Sequence, residues 1–375
     1  MNCRLFLLLL LPAWVFAADY LGVSKSEIER AIRESYNVSE KAAVRIESII
    51  ESSPESPIGY FLKASRLFAL LEYAGVDNAD KESFVEWSDR ALEVAKKYGG
   101  KGEEKLRIEF IRAMTELLIG RYHIEEGNWL RAFFKANAGL RRIRGILKKN
   151  PDFHDAKLPL GLANCFLSKA PSYLKPFAFL MRFDGDMEKG LAQLADARDK
   201  GFISSFESSY YLVAVHWELR NDLDSVRVEI DRLVSNFPGN PEFQRLMGNL
   251  DLQDKRAAEA FERYEKLLRF SVLPRFPAIE AEARLKLGQH ALNRNELSVA
   301  FDHGVKVEAL CSSHDSLRKE KAWARLLQGE TLRREKRFGE ALAILKRIDK
   351  RDNPRAYDHA RKAIKVIETV QSDTI

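Results

Sequence analysis

The side chains able to do chemistry are few and scattered. Seven histidines stand at positions 123, 154, 216, 290, 303, 314 and 359. None belongs to a His-Glu-x-x-His pair, which would set two imidazoles on one helix face around a zinc ion. His154 and Asp155, in DFHDA, come nearest to an acid–base pair. The plainer expectation is that Asp155 caps the following helix and His154 meets solvent. Asp184-Gly185-Asp186 hints at calcium but lacks the further oxygen ligands and the twelfth-position Glu of a calcium loop. Asp186 is instead expected to cap the helix MEKGLAQLADA. There is no G-x-S-x-G, Walker A loop or G-x-G-x-x-G. No catalytic residue, metal ligand or cofactor is therefore assigned, and the expected function is non-catalytic.

Two stretches carry the chemistry of binding. Trp129 to Lys149 contains Arg131, Lys135, Arg141, Arg142, Arg144, Lys148 and Lys149 and no acidic residue. Phe133, Leu140, Ile143 and Leu147 form its expected apolar stripe, which leaves the basic side chains on the other faces. Arg141, Arg142 and Arg144 could meet anionic lipid, an acidic envelope polysaccharide or an acidic partner. A solvated face neutralised by the neighbouring helix is the bland alternative. Tyr173 to Phe183 (YLKPFAFLMRF) is aromatic, and Phe177 and Phe179 within it either form an exposed contact or fold back onto the helices.

These groups must be positioned by helices. Almost every segment after residue 22 has helical periodicity, and nothing reads as a convincing strand. Ser24-x-x-Glu27 is a capping-box pattern. A helix is expected over residues 40–52 with Ala43, Ile46, Ile49 and Ile50 on one face, ended by Pro54 and Pro57. Later prolines, in KKNP, NFPGNP, LPRFP and RDNP, divide helices in the same way. Gly248, Gly288 and Gly329 are each followed twelve residues later by an alanine, at 260, 300 and 341, and the glycines recur after 40 and 41 residues. Gly120 and Ala132 form an earlier copy, and Gly185 and Ala197 match by accident. A small residue on each of two successive helices lets their backbones approach, and a fixed period of this kind signals a stacked helical array.

The pattern resembles the tetratricopeptide-repeat family. The glycines match that family's small residue in helix A, the alanines its alanine in helix B, and Tyr264 and Leu345 its large apolar residue further along; Gly304 departs from it. The longer period, and the missing aromatic marks of helix A, depart as well. Residues 150–241 resemble a group of bacterial exported proteins of the same general kind. The resemblance implies an all-α, right-handed superhelical solenoid of about five to seven helix pairs in a single array over 18–375. It is clearest over 240–355, with an insertion at about 170–184. It also implies a concave face that binds peptide, where Arg245 and Asn249 match the family's clamp positions. The next two repeats carry Leu285/Gln289 and Leu326/Glu330 and do not repeat that clamp.

Composition sets the outer limits. The chain has 375 residues, 46% hydrophobic and 31% charged, with a net charge of +6; this is too polar for a multi-span membrane protein. Residues 1–17 read as a secretory signal peptide, with Arg4, the apolar run Leu5 to Phe16, and cleavage after Ala17. Of the three cysteines, Cys165 and Cys311 would remain after cleavage, too far apart in an array to bridge. The expectation is an exported, periplasmic scaffold binding a protein or peptide of the cell envelope, with no nucleic acid. A peripheral binder of anionic lipid or polysaccharide through residues 131–149 is the alternative.

Overall fold

A computed structural model describes residues 19–74, 78–169 and 185–372. The expected signal peptide, Asp184, Phe177 and Phe179 lie outside the described residues. Within them the chain is all-α, with seventeen helices and one two-residue strand pair.

Sixteen of the helices follow one another as eight pairs. They are α1 (Lys25–Tyr36) with α2 (Glu40–Ser52), α3 (Pro57–Ala74) with α4 (Asn78–Lys97), and α5 (Gly102–Glu125) with α6 (Trp129–Lys149). Next come α7 (Lys157–Ser168) with α8 (Met187–Lys200), and α9 (Ser205–Ala214) with α10 (Leu223–Asn236). The last are α11 (Pro241–Gln253) with α12 (Ala257–Leu267), α13 (Pro277–Asn293) with α14 (Leu297–Ser312), and α15 (Arg318–Arg334) with α16 (Phe338–Leu345). A final helix, α17 (Pro354–Ser372), packs on α15 and α16. Eight pairs among the described residues exceed the five to seven expected; α1–α2, α3–α4, α7–α8 and α9–α10 lack the glycine–alanine mark.

One turn geometry is used repeatedly inside the pairs. Val38, Gly127, Lys255, Asn295 and Lys336 all have positive φ, between 55° and 71°. The next residue's N–H then reaches back five residues: Ser39 to Glu34 O (2.9 Å), Asn128 to His123 O (2.7 Å), Arg256 to Asp251 O (2.8 Å), Glu296 to Ala291 O (2.9 Å) and Arg337 to Leu332 O (2.9 Å). This is the Schellman ending, which satisfies carbonyls left over at a helix C-terminus and reverses the chain. The α9–α10 turn differs. There the helix widens into a π turn over Val215–Arg220, and Asn221 takes the left-handed conformation.

The small residues sit where the helices touch. Ala260, Ala300 and Ala341 are fully buried. A Cβ on Gly248 would lie 2.9 Å from the Tyr264 ring, and one on Gly329 would lie 2.5 Å from Leu345, so the large residue of each second helix fills the notch of the first. Gly304 occupies the equivalent place in α14. It lets the next pair approach, since a Cβ there would meet Ala324 O at 3.1 Å. The α7–α8 pair does not use Gly185 and Ala197 in this way. It closes through Gly161 and Gly190, where a Cβ on Gly190 would lie 2.8 Å from both Cys165 N and Gly161 O.

Several local expectations change in the structure. Ser24 precedes α1, but its hydroxyl bonds Ser26 Oγ (2.9 Å) and caps no helix N–H. In α2 the buried face is Ala42, Ile46 and Ile49. Asp19–Tyr20 pairs with Val23–Ser24 around Leu21 and Gly22, both at positive φ, which is the hairpin turn that matches strand twist. Leu21 is buried and its carbonyl accepts from Ser56 Oγ at 2.6 Å, which holds this otherwise unfavourable turn in place. Asp186 caps α8 as expected, accepting from Lys189 N at 3.0 Å. Cys165 and Cys311 are free and buried, and burial pushes both thiols up to about 11.

The array also touches itself across a long stretch of chain. Tyr36 at the end of α1 stacks on Phe237 (5.2 Å) and meets Phe206 edge-on (5.9 Å). Asn240 Nδ2 donates to Tyr36 O at 2.6 Å, while Asn240 Oδ1 caps α11. Val38 enters the cluster of Tyr264, Leu267 and Phe276. In a simple stacked array each unit contacts only its neighbours; here the first pair lies against the fifth and sixth.

The close approach at Gly190 gives a direct test of pair packing. Gly190→Ala should cost about 1–3 kcal/mol, because the α7 backbone atoms it would meet cannot move aside cheaply. Gly145→Ala, on the open side of α6 with nothing within 4 Å, should be neutral or stabilising by up to about 1 kcal/mol. Urea unfolding of the two variants measures both, and equal effects would contradict the packing described.

Candidate functional site: an inner groove and the chamber beside it

The first helices of successive pairs present one face to a common space. The face falls at fixed offsets from the repeat glycines, six and three residues before and one after. These offsets give Glu242, Arg245 and Asn249 on α11, Glu282, Leu285 and Gln289 on α13, and Trp323, Leu326 and Glu330 on α15. All but Asn249 line a groove of about 840 Å³, which Glu72, Tyr210 and His359 complete from α3, α9 and α17. Spacing of three and four residues keeps side chains on one side of a helix, and this is why the offsets repeat. The floor is apolar, from Ile279, Leu285, Leu292, Trp323, Leu326 and Leu327.

Charge in the groove is unevenly committed. Arg245 Nε and Nη2 donate to Glu242 at 2.7 and 2.6 Å, and Nη1 donates to Glu282 Oε2 at 2.8 Å. Asn249 Nδ2 donates to the other Glu282 oxygen at 2.8 Å, and its Oδ1 accepts from Tyr264 OH at 2.6 Å. Burial works against the Arg245 cation, but the two carboxylates outweigh it and raise its pKa above the usual arginine range. Arg245 and Asn249 therefore lie together at the groove, yet their donors are spent on Glu282 and are not turned toward a partner's carboxylate. Glu330 pairs with Arg333 at 2.7 Å. Glu320 and Lys286 make no ion pair among the described residues.

Beyond Glu72 and Tyr210 the groove adjoins a smaller chamber of about 120 Å³ between α1, α3, α5 and α9. Its walls mix apolar side chains with Ser35, Ser65, Arg66 and Asn240, and a charged cluster stands at the Glu72 side. There Arg121 bridges Glu72 and the Tyr211 hydroxyl, and its guanidinium lies 5.4 Å from the Phe68 ring centroid. Met114 and Arg121 hold the same offsets from Gly120 that the groove residues hold from their glycines. Glu207 is half-buried in the chamber wall and makes no hydrogen bond among the described residues. Burial pushes its carboxyl up to about 7, with Arg121 opposing and Glu72 reinforcing the shift. The buried hydroxyl of Ser65, also in the wall, has no hydrogen-bond partner among the described residues.

The remaining sequence candidates lie apart from this space. Asp155 does not cap α7. It is buried and accepts from Ile203 N (2.9 Å), Ser204 N (2.9 Å) and Ser204 Oγ (2.8 Å), tying the α8–α9 loop to the start of α7. His154 is not solvated as expected; its Nδ1 lies 2.6 Å from Asp196 Oδ2. Arg142 is paired with Glu109 (2.6 Å) and Glu116 (3.0 Å) on α5. Arg141 is exposed on α6, and Arg144 is half-buried and engaged. Sequence reasoning missed Glu282, Trp323 and the chamber, although the glycine offsets mark the first two. No group of side chains suited to hold a metal ion occurs among the described residues.

No protein-family model matches this chain, and no curated protein sequence matches it. The site therefore stands on its own geometry.

The Glu207 carboxyl makes stability depend on pH with a definite sign. Its folded pKa lies above the usual 4.5, so the folded state keeps a proton that the unfolded state gives up. Its contribution to stability should fall as pH rises from about 4.5 to about 7 and stay level above that, a loss on the order of 3 kcal/mol. Glu207→Gln should be more stable than wild type at pH 8 and no more stable at pH 4.5, as read from urea midpoints. A difference independent of pH would contradict the burial of this group.

Proposed function

We propose that the chain is an exported, non-catalytic scaffold of the tetratricopeptide-like kind, a right-handed superhelix that holds an extended segment of a cell-envelope protein on its inner face. The observation that carries this reading is the 840 Å³ groove walled by the first helices of the last pairs. An apolar floor with a polar rim suits a peptide, whose alternate side chains can enter pockets while its backbone stays hydrated. Export rests on the signal pattern of residues 1–17.

The charge pattern supports a basic segment over an acidic one. The lining carries Glu72, Glu242, Glu282, Glu320 and Glu330 against Arg245 and Lys286. An entering carboxylate would have to displace Glu282 from Arg245 and Asn249, leaving a half-buried acid unpaired, and this is costly. A lysine or arginine beside an apolar anchor over Trp323 meets Glu320 without breaking any bond. Trp323 suits the anchoring role because large aromatic surfaces carry a disproportionate share of binding energy.

Synthetic ten-residue peptides measured by fluorescence anisotropy test this. Apolar–basic peptides should bind and apolar–acidic ones should not. Trp323→Ala should weaken the interaction by roughly tenfold or more, and Glu320→Lys should abolish the preference for basic peptides while leaving the fold intact. Equal binding of both peptide classes, or indifference to both substitutions, would contradict the proposal.

A further inference from the structure

The outer face of α6 joins two features rarely exposed together. At 100° per residue, Leu130, Phe134, Arg141 and Lys148 fall within about 40° of one another, on the side opposite the buried Ala132, Gly139, Ile143 and Ile146. Of the expected stripe Leu140 and Ile143 are buried, whereas Phe133 and Leu147 are only partly so and Ala132 and Ile146 take their places. Trp129 is 67% exposed, Leu130 68% and Phe134 61%, three large apolar side chains within the first two turns. Beyond them the face is cationic. Arg131, Lys135, Arg141, Lys148 and Lys149 make no ion pair among the described residues, with Lys135 half-buried toward α5; Arg142 is neutralised by α5 and Arg144 is engaged. Arg131 and Lys135 also act together on His123, whose imidazole is lowered first by burial and then by these two cations.

We infer that α6 docks the protein on an anionic lipid bilayer, with Trp129, Leu130 and Phe134 entering the headgroup–acyl boundary and Arg131, Arg141 and Lys148 meeting lipid phosphates. Charge complementarity selects an anionic surface, since the helix carries no acid and five cations without an ion pair among the described residues. The apolar tip selects a bilayer over a dissolved polyanion. A polysaccharide would neutralise the cations but leave the tip in water, whereas a bilayer offers phosphate above hydrocarbon in one surface. Tryptophan at this level is favoured because its ring is amphipathic. No helix among the described residues is long and apolar enough to cross a membrane, so the contact is with the surface. It uses none of the groove residues and stands or falls apart from them.

Co-sedimentation of the full mature chain with vesicles tests the inference. Binding should be strong to phosphatidylcholine vesicles containing phosphatidylglycerol, absent with pure phosphatidylcholine, and weakened by salt. The double variants L130S/F134S and R131E/R141E should each lower the bound fraction at least about fivefold. All four side chains are exposed, and circular dichroism will show that the fold is retained. Equal binding to both vesicle types would overturn the inference, as would L130S/F134S binding anionic vesicles like wild type. Capture by an acidic polysaccharide that ignores L130S/F134S, without vesicle binding, would also overturn it and assign the face to polysaccharide.

Discussion

Tyr36 is held by Phe206, Phe237 and Phe243 on one side and by the Asn240 side chain on its carbonyl. This one seat ties α1 to elements about two hundred residues later along the chain. Loop-closure cost grows only with the logarithm of separation, by about 0.6 kcal/mol per doubling, so distance along the chain is a small obstacle. Each aromatic pair adds about 0.5–1.5 kcal/mol beyond the area it buries. Because Asn240 also caps α11, the same residue that starts the sixth pair fixes where α1 ends.

The seat divides the inner side of the array. Over its first half the chain's own α1 lies against the inner helices, and only the small chamber around Arg121 and Glu207 remains beneath it. Over its second half nothing among the described residues covers the faces of α11, α13 and α15, and the groove stays open. Polar groups follow the same division. Arg121 at the closed end is fully engaged by Glu72 and Tyr211, whereas Lys286 and Glu320 at the open end have no ion-pair partner among the described residues. On the proposed reading, α1 sets the length of the partner segment by closing one end of the inner face.

What was legible in the sequence is what local spacing controls. The α6 bounds follow from periodicity and match Trp129–Lys149. The glycine–alanine pairs mark helix contacts at Gly248 and Gly329, and their offsets mark the groove face through Glu282 and Trp323. What was hidden depends on partners far along the chain. Asp155 looks like a helix cap because its true donors, at Ile203 and Ser204, lie nearly fifty residues away. Lys255 and Lys336 give no sign of a left-handed turn, which glycine or asparagine would have given at Gly127 and Asn295. Arg245 and Asn249 look like a clamp until Glu282 is seen to occupy them, because no local pattern shows which carboxylate comes across from the next pair.

Hydrogen exchange of the full chain tests the seat of α1 most directly. Amides of Ala31 to Tyr36 should exchange as slowly as those of Met247 to Leu250 in α11 and lose protection together with them, since Asn240 and the aromatic cluster join the two. Rapid exchange in α1 while α11 stays protected would show that the first pair is not docked and that the inner face is open along its whole length, contrary to the account given.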